Sequence, residues 1–214
     1  MSRPPGAGGA RPALPCETSP LDEKTRLRAH YRAARRDHVA SLPEGVRRLM
    51  FHRPPAVLAR LVPEGAVVGL YHPTAAEAPT LGYARWFAEH GRAVALPWFG
   101  EREGAMTFRR WDNPFAEDSL VEGPWRALQP SAEAEEVVPD VVFVPLVAFT
   151  AGGARLGQGG GHYDRWLGAH PRVPAIGMAW DCQQAQMLPV EPHDRALVAV
   201  VTPGRIHGDL EMSA

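Results

Sequence analysis

Short apolar runs alternate along this chain with stretches of helical character, and that alternation restricts the fold more than any other feature. Residues 66–71, 93–96, 141–144, 175–179 and 196–201 read as strands. Residues 81–90 read as a helix closed by Gly91, at the position where a left-handed backbone is favoured. A helix is predicted over 21–40, with Ser19 as its cap, Pro20 in its first turn, and Asp22 and Glu23 at the positive end of its dipole. Leu27, Tyr31 and Ala34 share one stripe of it, and Lys24 and Arg28, one turn apart, share another. A second helical stretch, 44–62, meets Pro54 and Pro55 and must kink or divide there. Residues 106–111 alternate as an edge strand would, and a short helix spans 163–167. Strand and helix in alternation predict an α/β fold of three layers: an open, mostly parallel sheet with helices on both faces.

The same reading divides the chain. Residues 1–20, rich in proline and glycine, are expected to be a disordered N-terminal extension. Residues 21–205 form a single domain, and 206–214 a C-terminal tail. The acidic, irregular stretch 116–136 is a long surface excursion and a candidate cover for a site. A chain of 214 residues suits one domain with a real core.

Charge and composition exclude several classes. The net charge is −1, so there is no global positive field for nucleic acid, and the arginine-rich helix at 26–36 lacks interleaved aromatics. No run of about 18 apolar residues suggests a membrane helix, and the first 15 residues have no apolar core of a secretory signal. No nucleic-acid or membrane partner is expected, the cytoplasm is the expected location, and the chain should be a monomer or weak homo-oligomer. Two cysteines, Cys16 and Cys182, without a CxxC pair, argue against structural zinc; a disulfide between them stays open.

The chemistry concentrates in Thr150 to Asp164, between a buried strand and a helix. Gly157, Gly159, Gly160 and Gly161 lack a Cβ, so backbone N–H groups can approach a ligand closely. The N-terminus of the following helix adds partial positive charge, and the two together suit phosphate. Arg155 suits bidentate contact to phosphate oxygens, and Asp164 is a hard ligand able to hold Mg²⁺ beside them. No GxxxxGK(S/T) loop is present, and the glycine spacing misses the third glycine of the dinucleotide fingerprint. By spacing alone, such a glycine-rich turn is also compatible with a purely structural role.

The string VPLVAFTAGGARLGQGGGHYDRWL, residues 144–167, resembles the block VPxxAFDxxGxRLGxGxGYYDxxL of the 5-formyltetrahydrofolate cyclo-ligase family. Other pieces follow in the family's order. Lys24 to Arg28 (KTRLR) is similar to its KxxLR, and Tyr71 to Thr80 (YHPTAAEAPT) to its YxPxxxEvxT. Residues 106–108, 125–130, 177–183 and 188–194 are weaker echoes, so the resemblance covers roughly residues 23–202. It implies ATP as co-substrate, Mg²⁺ as cofactor and 5-formyltetrahydrofolate as substrate. Lys24 and Arg155 would be catalytic. Lys24 and Arg28 would reach the ATP phosphates, and Arg155, Leu156, Gly157, Gln158, Gly159, Gly160, Gly161, His162 and Tyr163 would wrap the nucleotide. Asp164 would hold Mg²⁺, together with Asp194. Glu77 would hydrogen-bond the pterin, while His72, Trp125 and Tyr163 line the folate pocket. The implied reaction is ATP-driven ring closure to 5,10-methenyltetrahydrofolate through a phosphorylated formyl oxygen, with release of ADP and phosphate.

The chain departs from the pattern at Thr150, where the family has aspartate, at His162, where it has tyrosine, at Gln158, often tyrosine or arginine, and at Gln129, usually glutamate. These changes bear on the folate side more than on the ATP side. Two rival readings stand beside the enzyme. One is a silent binding protein that keeps the pocket without turnover. The other is an ATP-dependent enzyme on the same scaffold with a different acylated amine as substrate. Taken without the resemblance, Lys24 and Arg28 read as an ordinary solvated helix face, and Asp194 as a turn residue paired with Arg195.

Overall fold

The computed structural model describes residues 20–208. The expected N-terminal extension, except Pro20, lies outside the described residues, as do Ser19, Cys16 and residues 209–214. The strands in chain order are β1 (Val67–Gly69), β2 (Ala93–Trp98), β3 (Thr107–Arg110), β4 (Leu120–Glu122), β5 (Leu128–Pro130) and β6 (Glu136–Val137). They continue as β7 (Val141–Pro145), β8 (Ala148–Phe149), β9 (Arg155–Leu156), β10 (Ala175–Met178), β11 (Ala199–Val201) and β12 (Ile206–His207). The helices are α1 (Pro20–Ser41), α2 (Glu44–Leu49), α3 (Ala56–Leu61), α4 (Leu81–Glu89) and α5 (His162–Ala169).

One eight-stranded sheet runs in the order β12-β11-β10-β7-β1-β2-β3-β6. Its five central strands, β11 to β2, are parallel, and β12, β3 and β6 add antiparallel edges. Alternate side chains of each central strand enter opposite cores. Val141 and Phe143 face a cluster with Leu58, Tyr83 and Phe87, which α3 and α4 supply. Val142 and Val144 face a second cluster with Trp166 and Leu167 from α5. Helices therefore cover both faces, as the alternation requires. Edge-to-face aromatic pairs join helix and sheet in each layer: Tyr83 with Phe143, centroids 5.7 Å apart, and Phe108 with Trp166, 4.9 Å apart. On α1, Leu27 and Tyr31 pack on a smaller cluster of Ala148, Leu156, Ala185 and Leu188, and this seats α1 beside the β8–β9 hairpin.

The 44–62 stretch divides into two helices at the Pro54–Pro55 pair, one of its two expected outcomes. The structure departs from the sequence reading at three places. Pro97 does not end β2: beyond Ala95 that strand pairs with β3 alone, where a residue without an N–H is accommodated. Residues 107–110 are not an edge, because β6 returns from the acidic excursion and pairs outside them. The expected tail begins inside the sheet, since Ile206 and His207 pair with Val201 and Val200. Two-residue strands such as β6 and β12 carry no periodic signal of their own. Their pairing comes from the strand beside them.

Candidate active site

The carboxyl ends of the parallel strands supply the site, as expected for an open α/β sheet. After β1 the chain makes the loop 70–80, which three hydrogen bonds hold. Tyr71 Oη donates to the Ala78 carbonyl at 2.7 Å, Thr80 Oγ1 to the Tyr71 carbonyl at 2.5 Å, and Trp180 Nε1 to the Ala76 carbonyl at 3.1 Å. This loop presents Glu77. Its Oε2 accepts the Thr74 N–H at 2.9 Å, and its Oε1 accepts Gln158 Nε2 at 3.1 Å and lies 4.0 Å from Arg35 Nη1.

After β7 the short β8–β9 hairpin presents Arg155. The chain then passes through the glycine turn into α5. Gly159 and Gly161 take φ of 112° and 64°, and Gly161 stands at the start of α5, which has no side-chain cap there. The first N–H groups of α5 are thus left to an outside acceptor. Arg155 is buried, and its Nη2 meets Asp164 Oδ1 at 2.5 Å. The same oxygen accepts the Arg195 N–H at 3.3 Å. Arg155 Nε, Arg35 Nε and Tyr163 Oη are buried with no partner. Such groups are costly unless something else satisfies them, and they gather around one cavity. Burial, aided by the Glu77 charge, raises the Tyr163 phenol above its ordinary range, so it stays a neutral donor.

That cavity encloses about 520 Å³, and Arg155, Gly157, Gly160, Gly161 and Asp164 line it together with Arg35, Thr74, Glu77, Phe99 and Trp125. A smaller space of about 210 Å³ adjoins it, and His72, Glu77, Trp125 and Tyr163 all line it. The four residues expected on the folate side therefore come together. His162 sits at the mouth among aromatic rings, 5.0 Å from Phe99 and 5.7 Å from Trp125 between centroids. Arg165 Nη2 donates to His162 Nδ1 at 2.9 Å, and burial with that neighbouring cation lowers the imidazole below its ordinary value. Gln129 pins Phe99 from both ends: its Oε1 accepts the Phe99 N–H at 3.2 Å and its Nε2 donates to the Phe99 carbonyl at 3.1 Å. A glutamate there could accept the first bond but not donate the second.

Other expected residues stand off the cavity. Lys24 is buried and bonded to Glu191 Oε2 at 2.5 Å and Asp194 Oδ2 at 2.9 Å. Burial alone would lower its ammonium, and the two carboxylates overcome that and raise it. Asp194 lines a separate depression, and its contacts are with Lys24 and the Glu191 N–H rather than with Asp164. Among the described residues the one group of three or more His, Cys, Asp or Glu side chains close enough to share a metal is Glu191, His193 and Asp194, and Asp164 stands outside it. Arg28 Nε donates to the Gly157 carbonyl at 3.0 Å, which braces the glycine turn from behind. Leu156 is core, packed with Ala148, Ala185 and Leu188. The sequence reading missed Arg32, Arg35 and Phe99. Arg32 and Arg35 continue the spacing of Lys24 and Arg28 along one side of α1, a signal present in the sequence. Phe99 carries none, because only the fold brings it to the cavity.

The model of the 5-formyltetrahydrofolate cyclo-ligase family matches residues 21–203, nearly the whole described chain. The chain belongs to the 5-formyltetrahydrofolate cyclo-ligase family. The protein of Mycolicibacterium smegmatis named 5-formyltetrahydrofolate cyclo-ligase is 30% identical over 197 residues, 84% of this chain and 95% of its own length. The Escherichia coli (strain K12) protein of that name is 41% identical over 100 residues, 44% of this chain, and the match spans 55% of the E. coli protein's length. The NMR structure of Aquifex aeolicus 5,10-methenyltetrahydrofolate synthetase superposes with a TM-score of 0.66 at 26% identity, covering 89% of this chain and 94% of that one. The synthetase from Mycoplasma pneumoniae shares the fold, with a TM-score of 0.59 at 20% identity over 83% of this chain and 97% of its own. Within this cyclo-ligase family frame, the glycine turn, Arg155, Asp164 and Glu77 occupy one cavity.

Proposed function

We propose that this protein closes the ring of 5-formyltetrahydrofolate to 5,10-methenyltetrahydrofolate at the expense of ATP. The observation that carries the reading is the single cavity, with a phosphate-type group of glycines, Arg155 and the open α5 N-terminus together with a group of Glu77, Trp125 and Tyr163. The nucleotide triphosphate lies along the first group and the pterin against the second. Arg155, its Nε unpaired, turns a donor to the phosphates. Asp164 fits Mg²⁺, since both its protein contacts fall on Oδ1 and Oδ2 is left to the cation. The ion would neutralise phosphate charge. Lys24 and Asp194 are locked on each other, so they serve the nucleotide or the cation only after that pair opens.

The chemistry needs little beyond this arrangement. A formyl oxygen is a poor leaving group. Its attack on the γ-phosphorus breaks the bond to ADP and leaves a phosphorylated formyl group. The N10 lone pair then adds to the formyl carbon, N10 loses its proton, and phosphate departs with the C–O bond. Arg155, Arg35 and the backbone N–H groups stabilise charge on the transferring phosphoryl group, and the ring-lined wall holds N10 near the carbon. His162 favours a second reading, a related acylated amine as substrate, because it replaces a tyrosine at the cavity mouth. Gln129 does not, because it serves Phe99.

The test is near-ultraviolet absorbance of the purified protein with 5-formyltetrahydrofolate and Mg²⁺, with and without ATP. A rise that requires ATP, from the conjugated methenyl product, supports the cyclo-ligase. A flat trace from folded protein that binds ATP moves the assignment to the related amine or to a silent binder.

A further inference from the structure

Gln158 lies at the apex of the glycine turn and is exposed, yet it makes more polar contacts than its neighbours there. Its Oε1 accepts Arg32 Nη2 at 2.9 Å and Nε at 3.2 Å, and its carbonyl accepts Arg32 Nη2 at 2.8 Å. Its Nε2 donates to Glu77 Oε1 at 3.1 Å, across a sequence separation of 81 residues. The other Glu77 oxygen is held by the Thr74 N–H. A side-chain amide presents an acceptor and a donor at one end. It can therefore bond a guanidinium and a carboxylate at once, which a charged side chain in its place could not do. Gln158 is thus the direct side-chain bond between the glycine turn and the Glu77 carboxylate.

We infer that Gln158 is a positioning residue that latches the glycine turn to Glu77 and makes occupation of the nucleotide side and of the folate side mutually reinforcing. The inference rests on the cyclo-ligase reading above for its ligands. The physical reason is the sharing of one constraint. A triphosphate that orders residues 157–161 also holds the Gln158 amide over Glu77, which then needs no further ordering when the pterin arrives. By linkage, folate must tighten nucleotide binding by the same factor. Gln158 is exposed while Glu77 is buried, so the amide can swing off the carboxylate to admit ligand and return over it.

The experiment is equilibrium binding of 5-formyltetrahydrofolate to the full chain with and without the β,γ-imido analogue of ATP and Mg²⁺, in the native protein and in Gln158→Met. Methionine keeps the length and removes all three side-chain hydrogen bonds. The native protein should bind folate about five-fold or more tightly when the analogue is present, and Gln158→Met should bring that factor to about one. Gln158→Glu should keep the Arg32 contact but set a like charge against Glu77, lowering folate affinity. A merely structural role would weaken each ligand separately and leave the factor unchanged. A factor unchanged in Gln158→Met, or a factor of one in the native protein, overturns the latch. If the native protein binds neither probe, the cyclo-ligase reading fails, and amide hydrogen exchange at Thr74 decides the latch by itself. Faster exchange in Gln158→Met supports it, and identical exchange overturns it.

Discussion

Asp164 has two tasks on one carboxylate. Oδ1 neutralises the buried Arg155, and Oδ2 is the proposed cation contact. Replacing it by alanine therefore tests two things at once, because an uncompensated buried guanidinium costs about 3 kcal/mol or more. Asp164→Asn separates them in part. The amide oxygen still accepts from Arg155 but no longer neutralises it, so the melting temperature should fall, by less than in Asp164→Ala. ATP-dependent absorbance turnover should fall by about 100-fold or more, the loss expected when a positioned charge at a phosphoryl-transfer site is removed. Near-native turnover by Asp164→Asn at limiting Mg²⁺ would remove Asp164 from the metal role. Asp164, Arg155 and the glycines were legible because their chemistry lies within ten positions of one another. Arg35 was not singled out, although it shares a helix with Lys24 and Arg28. Its partner Glu77 is forty-two positions further on, and nothing local shows that the two meet.

At the scale of elements, helix α4 depends on a close approach. A Cβ at Gly82 would stand 2.4 Å from the Phe51 carbonyl oxygen and 2.9 Å from His52 Cα, so backbone, not a movable side chain, bars it. Phe51 itself holds a left-handed φ of 57° and packs its ring on Tyr83 and Trp180. Gly82→Ala should therefore destabilise by about 2 kcal/mol, the usual cost of overpacking against a fixed neighbour, despite alanine's better helix propensity. For a domain of this size that is a fall of about 4–8 °C in melting temperature. A thermal melt at or above the native value would show that α4 and the 51–52 turn move apart freely. The existence and kind of the long elements were readable from period and punctuation. The β4–β5 and β8–β9 hairpins were not, since each strand is three residues or fewer and is stabilised by its partner rather than by its own pattern.

For the whole molecule, the Lys24 ion pairs tie the first helix to the loop near the other end of the described chain, across about 170 positions. Lys24→Met removes the cation from two partly exposed carboxylates, which water can then solvate, and should cost about 1–2 kcal/mol, a drop of about 2–8 °C. The pair also sets a pH dependence. Burial would raise the Asp194 carboxyl, but the hydrogen bonds from Lys24 and the Glu191 N–H outweigh it and hold Asp194 below its ordinary value. A carboxyl lowered in the folded state stabilises fully above its unfolded value, about pH 4, and that part is lost as pH falls through the folded value. Lys24 is raised, so its part persists below about pH 10.5 and is lost only above that. Acid unfolding followed by circular dichroism should show a shallower loss below pH 4 in Lys24→Met than in the native chain; an unchanged acid limb would deny Asp194 this part. The sequence by itself determined the α/β class, the parallel core and the glycine-rich turn, because periodicity, glycine and proline act over a few residues. Only the tertiary structure decided that Lys24 faces Asp194 rather than the cavity, that Gln158 reaches Glu77, and that β6 and β12 extend the sheet. Those outcomes depend on distances between segments far apart in the chain, which are settled when both faces of the sheet are packed.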